Sequence, residues 1–236
     1  MRHLKRFDHD NLKVSLTAPA SMKCAPLIKI YLARHGETTW NAEGKIQGQS
    51  DPELSPRGYR QSLILLEQIK KRPLSAIYTS SLQRSILTAQ PVAQYFGLPI
   101  QRRSELNEIA FGILEGRLLQ VDGEAQIEWE RFKNDRLTYR IPGAENYQDV
   151  AQRLKPFLTN ILSHHQGQEI LVVGHRVVNQ LLIGMLLNYP MEIVLRIEQA
   201  NDLLYLVQVD GETRVFHYLD GEIREGVVMG GKSIIP

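Results

Sequence analysis

Three observations predict an α/β fold: a three-layer α/β/α arrangement with a mostly parallel central sheet, helices on both faces and an inserted cap or lid segment. Short apolar, β-rich runs recur along the chain, each early run is followed by a helical pattern, and short apolar strands that alternate with helices imply a parallel sheet covered on both faces. With 236 residues, the length corresponds to about 1.6 domains at roughly 150 residues each, a prior for one core with an elaboration. Hydrophobic residues make up 43% and charged residues 23%, the usage of an ordinary globular chain rather than a disordered or fibrous one.

The elements follow in order. Residues 1–26 are polar and basic (Arg2, Lys5, Arg6, Lys13, Lys23) without the apolar stretch of a secretory signal, and are expected to be a loosely ordered extension. The globular domain is expected over residues 27–225, opening with a strand at 27–33. Ser55 can cap a helix with Pro56 in its first turn, and Leu63, Leu66 and Ile69 would give that helix its apolar face. A second strand is predicted at 76–79. A helix then runs from Ser81 to about Tyr95, ended by Gly97 and Pro99. Between about 116 and 142 the pattern weakens, and Trp129, Phe132 and Tyr139 sit among charges. A lid fits this stretch, and so does packing of the insertion onto the core. A helix at 148–164, a strand at 169–173 and a helix at 177–187 restore the alternation. The runs 203–209 and 214–219 flank Asp210-Gly211, a turn pair that predicts a hairpin. Residues 226–236, with three glycines and no periodicity, are expected to be a flexible tail.

Composition excludes several classes of partner. Basic minus acidic residues give 28 − 26 = +2, so nucleic acid is not an expected partner and any anion site must be a local cluster. The longest apolar runs, such as 170–173, are far short of the ~18 residues of a membrane span. Cys24 alone can form no internal disulfide, and no Cys/His spacing suggests zinc, which points to a reducing cytoplasm and to no metal.

In an open parallel sheet, ligands bind beyond the carboxyl ends of the strands, where helix N-termini present free N–H groups. The first strand delivers Arg34-His35-Gly36-Glu37-Thr38 to that rim. The second delivers Ser80-Ser81 and then Arg84, and the third delivers Gly174-His175-Arg176. Two histidines and at least two arginines from distant stretches thus concentrate positive charge in a nearly neutral protein.

On these residues the sequence resembles the histidine phosphatase superfamily, which also contains the cofactor-dependent phosphoglycerate mutases. The resemblance covers about residues 28–201. It rests on Arg34-His35-Gly36-Glu37-Thr38, Trp40-Asn41, Gln47-Gly48-Gln49, Leu54-Ser55, Ser80-Ser81-Leu82-Gln83-Arg84, Glu105-Leu106-Asn107-Glu108, Phe111-Gly112, Glu115-Gly116 and Gly174-His175. It implies a small phosphorylated metabolite as partner, no cofactor and no metal. His35 would be the nucleophile that becomes phosphorylated, Glu108 the general acid and base, and Arg34 and Arg84 would grip phosphate oxygens with forked N–H pairs. His175 would donate from the opposite side. Asn41 is either a further phosphate donor or a helix cap. Glu105 and Glu115 are the acids that could be mistaken for Glu108, and Glu37 is either a supporting acid or a surface residue.

The resemblance also bears on the fate of the phosphoryl group. The interval from Glu108 to His175 is 175 − 108 = 67 residues and holds no adjacent arginine pair, which is similar to the phosphatase branch rather than to the mutases. Hydrolysis of a phosphomonoester is therefore expected, with mutase-type transfer or a non-catalytic phospho-ligand module as alternatives. Arg176 departs from the small residues found after the second histidine in many relatives. It either pairs with an acid or extends the anion site. Gln47, Gly48 and the 116–142 segment would select the substrate, and an edge strand of the late hairpin could mediate a homodimer.

Overall fold

The computed structural model describes residues 26–118, 123–219, 221–230 and 234–235. The expected N-terminal extension, Pro26 apart, lies outside the described residues, as does Cys24. Strand β1 (Ile28–Arg34) is followed by the short helix α1 (Thr39–Glu43) and by α2 (Pro56–Ile69). Next come β2 (Leu74–Thr79), α3 (Gln83–Phe96) and β3 (Ile100–Arg102). Helices α4 (Glu124–Asn134) and α5 (Tyr147–His164) precede β4 (Glu169–Gly174), α6 (Arg176–Leu187) and α7 (Met191–Val194). The chain closes with β5 (Leu204–Val209), β6 (Thr213–Leu219), β7 (Glu222–Glu225), β8 (Val227–Val228) and β9 (Ile234–Ile235).

The main sheet has the order β3-β2-β4-β1-β5-β6-β7. Its first four strands are parallel and the rest antiparallel. Period-two alternation divides the core between its faces. Ile28, Ile30 and Leu32 of β1 pack with Leu154, Phe157 and Leu158 of α5 and Val178, Leu181 and Leu182 of α6. Tyr31 and Ala33 pack with Leu65 and Ile69 of α2 and Ala89 and Val92 of α3. The two helical layers thus cover opposite faces, the three-layer arrangement that the sequence predicts.

Ser55 caps α2 by accepting from the Gly58 N–H at 3.1 Å, with Pro56 in the first turn. The apolar face of α2 is rotated from the expected one: Leu65 and Ile69 are buried, whereas Leu63 is 55% exposed. The spacing of Leu63, Leu66 and Ile69 mixes inward and outward positions, because Leu65 and Ile69, four apart, form the seam that meets α3. The stretch from Gly226 is not a free tail among its described residues. Val227 and Met229 are buried, and β8 pairs with β9. Its glycines hid two apolar anchors. The late hairpin is also not the sheet edge, since β7 pairs along β6.

Candidate active site

The two histidines meet because of strand register. Arg34 at the end of β1 pairs in parallel with Gly174 at the end of β4, and the His35 N–H donates to the Gly174 carbonyl at 3.0 Å. The next residue on each strand is a histidine, and their ring centroids lie 5.1 Å apart. Both rings are buried.

Hydrogen bonds bear on the tautomer of each ring. His35 Nδ1 sits 2.7 Å from the Gly36 carbonyl, which can only accept, so Nδ1 carries the proton and Nε2 the free lone pair. His175 Nε2 lies 2.8 Å from Ser80 Oγ and 3.2 Å from Ser85 Oγ. Ser80 Oγ accepts from the Leu82 N–H, and in the tautomer where its own proton goes to His175 Nε2 the imidazole N–H lies on Nδ1. Burial, then the charges of Arg84 and Arg34, hold His35 well below the ordinary 6.5 despite its Gly36 hydrogen bond. Burial, then Arg84, His35 and the arginines beyond, do the same to His175. Both rings are neutral at pH 7.

The arginines flank this pair. Arg34 donates through Nη1 to the Gln199 carbonyl at 3.0 Å. Burial pushes it down to about 10, resisted by Glu108 and reinforced by Arg176 and Arg84, so it stays cationic at neutral pH. Arg84 is 1% exposed. It is lowered by burial and supported by Glu108 and Asp51. Its Nη1 donates to the Ser50 carbonyl at 2.5 Å and its Nη2 to the Gly48 carbonyl at 2.7 Å. One Nη of Arg34 and both Nη of Arg84 are thus bonded to protein carbonyls, while Nε of each arginine has no partner. Arg34 Nε, Arg84 Nε and His175 Nδ1 are buried without a hydrogen-bond partner. Buried donors are nearly always paired, so three orphans on one rim mark a place where these groups can converge on an anion.

Glu108 is 9% exposed. Its Oε1 accepts from the Ile109 N–H at 3.0 Å, and its Oε2 lies 3.4 Å from the Val177 N–H in the first turn of α6. It therefore stands beside His175. Glu115 is spoken for: its two oxygens accept from the backbone N–H groups of Gln49, Ser50 and Phe111 and from Ser50 Oγ. Burial acts to raise its pKa, but these hydrogen bonds, led by Ser50, outweigh it and keep the carboxyl below its ordinary range.

Gly48 serves through its backbone. Its φ is +56°, and a Cβ there would lie 2.1 Å from Glu115 Oε1. Gln47 Oε1 accepts from Thr38 Oγ1 at 3.0 Å. Asn41 is the third residue of α1 and completes the capping box of the N-cap Thr38, its Oδ1 accepting from the Thr38 N–H while Thr38 Oγ1 accepts from the Asn41 N–H. Glu37 accepts from Ser55 Oγ and Arg57 and steadies the start of α2. Arg176 is exposed, with Glu198 at 3.9 Å. The aromatics of the insertion pack inward rather than forming a free lid: Trp129 stacks on Phe132, and both meet Phe111 edge-on. Tyr139 donates to Glu128 at 2.5 Å.

Sequence reasoning missed the supports. Ser85 and Ser80 orient His175. Thr88 accepts from the Gly36 N–H at 2.8 Å, and Asn201 donates to the His35 carbonyl at 2.7 Å. Thr88 follows Arg84 on α3 by four positions and so shares its face, a signal that could have found it, whereas the adjacent Ser85 gives no such signal. Among the described residues, no group of three or more His, Cys, Asp or Glu side chains is placed to hold a metal ion, and no helix is long and apolar enough to cross a membrane.

An α/β sheet carrying paired histidines, two arginines and a glutamate at the carboxyl ends of its strands defines a phosphoryl-handling class of protein. A family model of the histidine phosphatase superfamily (branch 1) matches residues 30–220, and the chain belongs to that superfamily. It is 36% identical over 165 residues to a probable phosphoglycerate mutase GpmB of Salmonella choleraesuis, covering 70% of this chain and 77% of the relative. Its fold is similar to that of the alpha-ribazole phosphatase from Shigella flexneri, with a TM-score of 0.71 and 25% identity over 88% of this chain and 99% of the other. It also resembles in fold a phosphoglycerate mutase from Bacillus anthracis, with a TM-score of 0.66 and 24% identity over 80% and 91%. Members of this superfamily are phosphatases or mutases.

Proposed function

We propose that the protein hydrolyses phosphomonoesters of small metabolites through a phosphohistidine on His35. The observation that supports this reading is that Arg34 Nε, Arg84 Nε and His175 Nδ1 are buried without a partner, in a protein where the His175 ring lies 5.1 Å from a His35 whose Nε2 lone pair is free. In the first step Nε2 attacks phosphorus and the P–O ester bond breaks, while Glu108 gives its proton to the departing oxygen. In the second, Glu108 takes a proton from water, the water oxygen attacks phosphorus, and the P–N bond breaks to release inorganic phosphate. Arg34, Arg84 and His175 stabilise the charge that spreads over the non-bridging oxygens, so the protein's own cations supply what a metal supplies elsewhere. Asn41, Gln47 and Gly48 border this site on the substrate side.

Hydrolysis is favoured over transfer by the short Glu108–His175 interval without paired arginines and by an insertion whose aromatics pack on the core. The resemblance to a solved alpha-ribazole phosphatase supports the same choice. Mutase activity is the second reading, favoured by the name of the 36% identical relative. A phosphomonoester panel, run with a phosphoglycerate isomerisation assay, separates them. Phosphate release from small esters, outpacing any interconversion of 3- and 2-phosphoglycerate, is the expected result. Interconversion faster than phosphate release would assign the mutase activity instead.

A further inference from the structure

Beside the reacting groups, one ion pair grips the backbone that carries the acid. Arg153 of α5 donates from Nε to Glu145 Oε1 at 2.8 Å and from Nη2 to Glu145 Oε2 at 3.1 Å. The same guanidinium donates to the Glu105 carbonyl at 2.5 Å and to the Glu108 carbonyl at 3.2 Å. Glu145 Oε2 accepts from the Ala110 N–H at 3.0 Å, and the Glu145 N–H donates to the Ala110 carbonyl at 3.1 Å. Gln49 Nε2 also donates to the Glu108 carbonyl, at 3.2 Å, and lies 3.5 Å from Glu145 Oε2. The pair is partly shielded from water, with side-chain exposures of 20% and 23%. Two parallel N–H···O bonds in such a place form a stiff unit, unlike an open surface pair.

We infer that Arg153, held by Glu145, is a positioning residue for the Glu108 carboxyl. The Glu108 side chain is referenced to its own backbone, since Oε1 accepts from the next N–H, that of Ile109. Fixing the carbonyls of Glu105 and Glu108 on one side and Ala110 on the other therefore fixes where the carboxyl can meet a departing oxygen. A misplacement of about 1 Å in a catalytic group costs on the order of 100-fold. The inference rests on the reading of Glu108 as the acid, and it makes a selective prediction. An alkoxide must be protonated as it leaves, whereas nitrophenolate departs without a proton, so a displaced acid slows phosphohistidine formation from the first ester and spares it from the second, while the later hydrolysis step is common to both.

The test compares Arg153→Met, Arg153→Lys and Glu108→Gln on glycerol phosphate and nitrophenyl phosphate, with thermal midpoints measured for each. For Arg153→Met, kcat/KM, which reports phosphohistidine formation alone, should fall about 10- to 100-fold on glycerol phosphate and less than about 3-fold on nitrophenyl phosphate, and the same constant is compared for every variant. Lysine keeps a charge against Glu145 but cannot span both carbonyls, so Arg153→Lys should recover part of the glycerol phosphate rate. If the methionine variant does not fold, the lysine variant decides by the same bias between the two esters. Equal losses on both esters, or no loss on glycerol phosphate, would overturn the positioning role. A biased Glu108→Gln beside an unbiased Arg153 variant overturns this inference alone. An unbiased Glu108→Gln overturns the acid assignment and the inference with it.

Discussion

The floor and the wall of the site are built in different ways. The floor, His35 and His175, is set by backbone register: two parallel central strands end at the same level, and the next residue on each is an imidazole. The wall, residues 47–51 and 105–116, has no ladder of its own and is held by carboxylates that collect backbone N–H groups. A sheet places chemistry by hydrogen bonds that every residue can make. An irregular loop needs particular charged side chains to satisfy its polar backbone. The floor should therefore tolerate side-chain changes nearby, and the wall should not.

The largest effect that probes this contrast comes from Glu115→Gln. It removes the charge that four donors converge on and should cost about 1.5–3 kcal/mol of stability. Hydrogen exchange should speed up in segments 47–51 and 108–116 and remain unchanged in β1 and β4, with kcat/KM falling about 10-fold as the Arg84 carbonyl cradle loosens. Uniform acceleration across the sheet would show that floor and wall are one cooperative unit.

A smaller, graded effect comes from pH and concerns the floor alone. His35 and His175 titrate well below the ordinary 6.5 in the fold. As pH falls below about 6.5 the unfolded chain binds protons that the native state refuses. Stability is therefore kept above that pH and lost below it, by up to about 1.4 kcal/mol per pH unit for each histidine. Denaturant unfolding between pH 6.5 and 5 checks this, a window above the carboxylate range in which Glu115 and Asp149 are shifted. Replacing both histidines with asparagine should flatten the slope, and an unchanged slope would show that they are not the neutral buried groups described.

The same contrast explains what could be read from the sequence. Strand–helix alternation gives the sheet, so the order of residues puts Arg34, His35, Arg84 and His175 at one rim, and the resemblance to the superfamily supplies the roles expected of them. The face of α2 is not legible, because Leu63 and Leu65 are equally apolar and only the seam with α3 decides between them. Asn41 could be read as ligand or cap, since a capping box and a donor use the same residue type, and the structure shows the box. The carbonyls of Gly48 and Ser50 that hold the two Nη of Arg84 lie more than thirty residues away in the sequence, so this anchoring could not be read from it. Long-range side-chain to backbone bonds of this kind leave no local period in the sequence. The burial of Val227 and Met229 in a glycine-rich end is hidden for the same reason.

The central claim is that a neutral His35 accepts a phosphoryl group between two arginines and His175. Rapid acid-free quenching of the protein during turnover of nitrophenyl phosphate, followed by peptide mapping, tests it directly. An acid-labile phosphoryl group on His35, lost in His35→Ala together with activity, is the predicted result. A wild-type protein that turns over at full rate and stays unlabelled would contradict it.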